Sequence, residues 1–181
     1  MILNSKNNNF IITIPSNFVY PDIVARYETY LKRLPLPYDS VGDYLNASVQ
    51  GMSFPSISTE LVDQVLYEDQ VSAKGGKRIQ NYLSREFTMT LKTYEGYINY
   101  WIFYDLLWAY WGLDNKNKFL PDITVTFLDH TGFEFMTVVF KQIILTGISE
   151  IELNYSSNTA DFKTFTVNFK YNYIEIKKRL Q

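Results

Sequence analysis

The most regular stretch of the chain is Phe165–Ile176, where Phe165, Val167, Phe169, Tyr171 and Tyr173 alternate with Thr166, Asn168, Lys170 and Asn172. Alternation with period two predicts a strand with one buried face and one wet face. The same reading predicts strands at Phe10–Ile14, Arg85–Lys92, Ile123–Leu128 and Phe133–Phe140, and around Ile151, Leu153 and Tyr155. From Asp43 to Val65 the chain reads as strand, turn, strand: Leu45, Ala47 and Val49 alternate, Gly51 interrupts, and Phe54-Pro55-Ser56-Ile57 bends the backbone. Two stretches carry helical spacing instead. Ile23, Tyr27, Tyr30 and Leu34 predict a short amphipathic helix, started by Pro21 and Asp22 and stopped by Pro35 and Pro37. Tyr97, Trp101, Tyr104, Trp108 and Trp111 predict a longer one, with Gly112 just past its end. A stripe of aromatics at this spacing more often faces a core than water, so these five are expected to pack the helix on a sheet.

Between these elements, Leu66, Tyr67, Glu68, Asp69, Lys74, Gly75, Gly76, Lys77 and Arg78 offer few apolar anchors. With Gly75-Gly76 as a flexible turn, Leu66–Tyr82 reads as an exposed hairpin arm. Such a sequence cannot bury itself within one monomer, so the arm is expected to reach a neighbouring subunit or ring. The expected fold class is mainly β (α+β): an antiparallel β-sandwich or half-barrel of about eight strands with one flanking α-helix and a long hairpin arm.

A length of 181 residues fits a single domain, and an apolar fraction of 46% argues against disorder. The 15 Tyr and 13 Phe favour strands and interfaces, where a ring is buried and a hydroxyl can stay wet. A net charge of −2 argues against a dedicated nucleic-acid binder, which needs a basic face to displace counterions. With no cysteine, disulfides and thiolate metal sites are excluded. The early apolar run Phe10–Ile14 is too short for a signal peptide, and Tyr97–Trp111 is too short and too interrupted to span a bilayer. The expectation is a soluble, unexported protein with no membrane insertion.

Candidate chemistry is sparse. His130 stands in a hairpin turn beside Asp129, and one histidine builds neither a multi-histidine metal site nor a rigidly held base. Gly75-Gly76-Lys77 lacks the earlier glycine of a phosphate loop, with Val71 in its place, and Arg78 replaces the hydroxyl residue. Glu150 and Glu152 share a strand face about 7 Å apart, but nothing around them raises a carboxyl pKa. Asn46-Ala47-Ser48 and Asn154-Tyr155-Ser156 match glycosylation sequons that matter only in a secreted chain. No catalytic residue, metal or cofactor is expected.

Taken in order, Val49–Ser58, the charged arm around Gly75–Arg78, Arg85–Leu91 leading into the aromatic helix, Ile123–Asp129 with Gly132, Ile148–Tyr155 and Phe165–Ile176 carry a resemblance. They resemble the tail tube protein family of contractile-tailed bacteriophages, related to the tube proteins of contractile injection systems. The resemblance covers about residues 43–176, and so implies a tail-tube-like β domain over 43–181. Residues 1–42 then form an N-terminal segment with a short helix, packing on the core or on a neighbour. It implies a structural virion protein: homohexameric rings stacked into a tube through which DNA passes during ejection, assembled in the host cytoplasm. Implied partners are other copies of the chain, the tail sheath, baseplate and terminator proteins, and tape measure protein and DNA in the lumen without sequence-specific binding. The polar strand face, Thr88, Thr90, Glu150, Glu152, Thr166, Asn168 and Lys170, is the candidate lumen lining. The helix Pro21–Leu34 and the following prolines depart from the smallest family members and keep a baseplate tube-initiator, or a tube protein of an injection system, as alternatives. From a different class, an aromatic-rich sandwich also fits a carbohydrate-binding module, which needs exposed aromatics on a sheet face.

Overall fold

The computed structural model describes residues 9–34, 38–55, 61–65, 72–76, 85–112, 119–151 and 163–179. Within them the chain forms β1 (Phe10–Thr13), α1 (Pro21–Leu31), α2 (Val41–Ser48), β2 (Val49–Ser53), β3 (Leu61–Val65), β4 (Ser72–Gly76) and β5 (Glu86–Lys92). There follow α3 (Ile98–Gly112), β6 (Ile123–Leu128), β7 (Glu134–Lys141), β8 (Ile144–Ile148), β9 (Thr164–Lys170) and β10 (Tyr173–Lys178). Two four-stranded antiparallel sheets result, ordered β1-β6-β7-β10 and β2-β5-β9-β8, with β3 and β4 as a separate hairpin. The sandwich is the fold class read from the alternation, although with three helices rather than two.

The sheets meet through rings. Phe87 on β5 lies 4.6 Å from Phe140 on β7, and Phe140 also contacts Tyr171 at 5.1 Å. Phe169 stacks on Phe87 at 5.0 Å, completing a cluster that joins both sheets. The other end of the second sheet's apolar face is covered by helices, where Phe165 touches Tyr100 and Phe103 of α3. Ile12, Ile14, Phe18, Ile23 and Leu31 are buried in the same core, so the N-terminal residues from Phe10 onward are part of the sandwich.

Three local readings are corrected. Asp43–Ser48 is helical, because Ser40 caps the Asp43 N–H while its hydroxyl reaches the Asp43 carboxylate. The buried positions Val41, Tyr44, Leu45 and Ser48 then follow helical spacing, which outweighs the weaker Leu45/Ala47/Val49 alternation. Phe165–Ile176 is not one strand: β9 ends at Lys170, and the chain turns a corner at Tyr171-Asn172 into β10 of the opposite sheet. Tyr171 stays buried at that corner, whereas Tyr173 is exposed. Finally, Gly75 and Gly76 pair with Val62 and Leu61 inside the hairpin, so they are strand residues rather than its turn.

Among the described residues, one buried side-chain oxygen lacks a hydrogen-bond partner. The Tyr44 hydroxyl, beside the Asn99 backbone and the rings of Tyr38 and Tyr94, finds no hydrogen bond. Burying a hydroxyl without a bond costs free energy that a phenylalanine would not incur. Tyr44→Phe is therefore expected to leave stability unchanged or raise it by up to ~1 kcal/mol, read as a higher urea midpoint.

Candidate assembly surfaces

Five of the candidate lumen residues, Thr88, Thr90, Thr166, Asn168 and Lys170, sit on one face of the second sheet. Register pairs Thr88 with Asn168, Thr90 with Thr166 and Glu86 with Lys170 across β5 and β9. Because Phe87, Met89 and Leu91 alternate with them into the core, this face is fixed outward. Its polar atoms bond largely to one another. The Thr88 hydroxyl donates to the Asn168 side chain at 3.0 Å, and the Thr146 hydroxyl donates to the Asn168 carbonyl at 2.9 Å. Ser53 and Ser149 hydroxyls accept from the Thr88 and Thr166 backbone N–H groups, each at 3.0 Å. Lys170 is neutralised by Glu86 at 2.8 Å. Lys92, on the same face of β5, lies over the Tyr94 ring, so among the described residues the face carries little free positive charge to hold a phosphate.

The sequence-predicted set is only partly assembled there. Thr88, Thr90, Thr166, Asn168 and Lys170 come together, Glu150 lies exposed just beyond β8, and Glu152 falls outside the described residues. Of the arm, Lys74, Gly75 and Gly76 lie on β4, while Leu66, Tyr67, Glu68, Asp69, Lys77 and Arg78 fall outside the described residues.

The helix stripe is corrected outright. Trp101, Tyr104, Trp108 and Trp111 are 48%, 38%, 64% and 63% exposed, and form a row along the outside of α3. Ring centroids of Trp101 and Tyr104 lie 5.6 Å apart, and those of Tyr104 and Trp108 6.3 Å. The packing face is Ile98, Ile102, Phe103, Leu106 and Tyr110, with Asn99 donating to the Lys92 carbonyl. Tyr97 is not on the helix: it follows Gly96 in a left-handed turn (φ 70° and 54°) that redirects the chain from β5 into α3. Since α3 is apolar on nearly every side, spacing alone admits both stripes, and the smaller Ile, Leu and Phe set fills the sheet contact.

Polar contacts that the sequence reading did not give hold these surfaces in place. Asn46 of α2 bonds both backbone groups of Ile14, accepting from its N–H at 2.6 Å and donating to its carbonyl at 3.0 Å. Asp105 of α3 accepts from the Tyr27 hydroxyl at 2.9 Å and lies 3.7 Å from Arg26, tying α1 to α3. Trp111 donates its indole N–H to the Leu145 carbonyl on β8 at 2.9 Å, so the stripe ends at a sheet edge. The one signal for these was side-chain chemistry at helix positions, since an amide or carboxylate on a helix flank often bonds a neighbouring segment.

His130 is exposed in a turn organised by Asp129, whose carboxylate accepts from Thr131 and Phe133 and is held below the usual carboxylate range by those bonds. Among the described residues no cluster of three or more His, Asp or Glu can hold a metal ion, and no helix is long and apolar enough to cross a membrane.

These features define an antiparallel β-sandwich of two four-stranded sheets with a helical cap and an aromatic outer helix. The particular fold is shared with components of contractile injection particles. A chain of the six-fold symmetrised anti-feeding prophage baseplate matches with TM-score 0.54 and 9% identity, over 98% of each chain. The cap that terminates the anti-feeding prophage tube matches with TM-score 0.54 and 11% identity, over 99% of this chain and 94% of that one. The sheath/tube terminator of an extracellular contractile injection system (PVC) matches with TM-score 0.54 and 14% identity, over 97% and 98%. At such identities the likeness concerns the fold. No family model matches the sequence, and no curated protein does.

Proposed function

We propose that this chain is a structural subunit of a tail tube, with copies joining side by side into a hexameric ring and rings stacking around a lumen. The observation that carries the reading is the second sheet: a polar face whose side chains bond one another and whose Lys170 is paired with Glu86, on a sheet whose outer strands among the described residues are β2 and β8. Setting the β8 side of one copy against β2 of the next covers the outer strand β2 while curving the polar faces inward. A head-to-tail contact of this kind closes when its rotation divides the circle. The fold it shares with a six-fold symmetrised baseplate component is consistent with six copies. A lumen wall without adhesive cations lets DNA slide during ejection, with sheath outside and tape measure protein inside.

A second reading is favoured by the comparisons: the similar structures come from a baseplate, a tube-terminating cap and a sheath/tube terminator, so the chain fits a subunit that starts or ends a tube. A carbohydrate-binding role is not favoured, since the exposed face of the second sheet carries Thr, Asn and Lys rather than rings. Negative-stain microscopy and sedimentation velocity of the purified protein at rising concentration test the reading. Stacked rings are the expected result, single rings that never stack select the tube-end role, and a monomer at every concentration overturns both.

A further inference from the structure

We infer that the aromatic stripe of α3 is the docking surface for the next copy of this chain in the ring. The inference rests on the ring reading and names what meets the β8 side of the sheet. Three observations select a second copy. The first is size: with an aromatic side chain covering roughly 150–250 Å² and these four about half exposed, the stripe shows roughly 400 Å² of apolar surface. That is about half of the ~800 Å² per partner in a stable interface, from four side chains of one helix. The second is continuity. Trp111 bonds the Leu145 carbonyl of β8, so α3 lies along this outer strand, and a copy that meets the β8 side of the sheet also meets the stripe. The third is complementarity. The opposite edge, β2, ends in Phe54, which is 45% exposed although its ring reaches Phe127 at 5.7 Å and Phe140 at 6.0 Å. An outer strand flanked by an aromatic helix at one side of the sheet faces an outer strand with a half-covered ring at the other.

Charge supports the same occupant. The stripe itself is uncharged, and Asp105, the acid in this part of α3, is occupied by Tyr27 and Arg26. A strongly acidic or basic partner gains nothing there, whereas an aromatic surface does.

The chain carries its own probe, because its 3 tryptophans, Trp101, Trp108 and Trp111, all lie on this stripe. Tryptophan emission and acrylamide quenching, followed while the whole protein is concentrated through assembly, therefore report on nothing else. The expected result is a shift to shorter wavelength and loss of quenching that track ring formation by sedimentation. Trp108→Ala, at a position with no recorded hydrogen bond, should keep the monomer's circular dichroism and melting temperature. It should raise the concentration needed for assembly by about tenfold or more. Rings that form with the tryptophans still fully quenchable overturn the inference and leave the ring reading intact, the stripe then belonging to a different partner. Failure to assemble at any concentration removes the ring reading and the inference with it.

Discussion

Phe140→Ala should remove about 3–5 kcal/mol of stability, the range for truncating a fully buried phenylalanine. Against a total of about 5–15 kcal/mol for a domain, that leaves a largely unfolded or barely folded chain. The size of the effect follows from where the ring sits. Phe140 is fully buried on β7 and touches Phe87, Tyr171 and Phe54, three rings carried by other segments. Each neighbour is anchored on its own backbone, so none can slide far enough to fill the space. The control is Phe133→Ala at the tip of the β6–β7 turn, where the ring is 75% exposed and the change should stay within ~0.5 kcal/mol. Urea midpoints by circular dichroism compare the two. A loss below ~1 kcal/mol at Phe140 would mean that the sheets do not meet through this cluster.

The architecture was legible where one physical signal acted alone. In Glu86–Lys92 the alternation is strict, one face is fully buried, and sequence and structure agree to within a residue; in Thr164–Lys170 the alternation is as strict and the start agrees as closely, although the end does not. It was not legible where two signals overlapped. Before β2, a capping serine with an acid three residues on competes with a run of alternating apolar residues, and the cap prevails because it satisfies backbone donors at once. After β9 the alternation continues through Tyr171 and Tyr173 although the chain changes sheets, since a corner residue buried between two sheets keeps the same apolar identity. Pattern records burial and does not record which sheet does the burying.

The surfaces show the same limit. Thr88, Thr90, Thr166 and Asn168 were readable as one outward face because strand geometry allows two faces only. The helix has a full circle of directions, and α3 is apolar around most of it, so its aromatic and aliphatic stripes were equivalent candidates. Size separates them: the indole rings lie outside, and Ile102, Phe103 and Leu106 fill the sheet contact. The tie between Trp111 and the β8 edge joins residues 34 apart in the chain, and no local pattern encodes such a pair.

The tyrosines of this core should make the fold fail abruptly in alkali. Burial pushes the phenol of Tyr27 up to about 12, reinforced by its bond to Asp105, and burial likewise raises Tyr44, Tyr94, Tyr110 and Tyr171. A phenol is neutral when protonated, so the folded state holds these protons to a higher pH than the unfolded chain, whose tyrosines ionise near pH 10. Below about pH 10 both states are protonated and this contribution is constant. Above it the unfolded chain binds fewer protons, and each withheld proton lowers stability by at most about 1.4 kcal/mol per pH unit, less where a ring edge meets water. For Tyr27 the loss runs from about pH 10 to about 12 and then stops. With the five acting together on one cooperative unit, circular dichroism should collapse within that window, and phenolate absorbance should show a step at the same pH. Tyr44→Phe removes the most deeply buried ionisation of the helical end and should move the midpoint to higher pH. A gradual rise in phenolate absorbance with the dichroism of the fold intact past pH 12 would show that the rings are open to water, and that the helices do not seal the end of the second sheet.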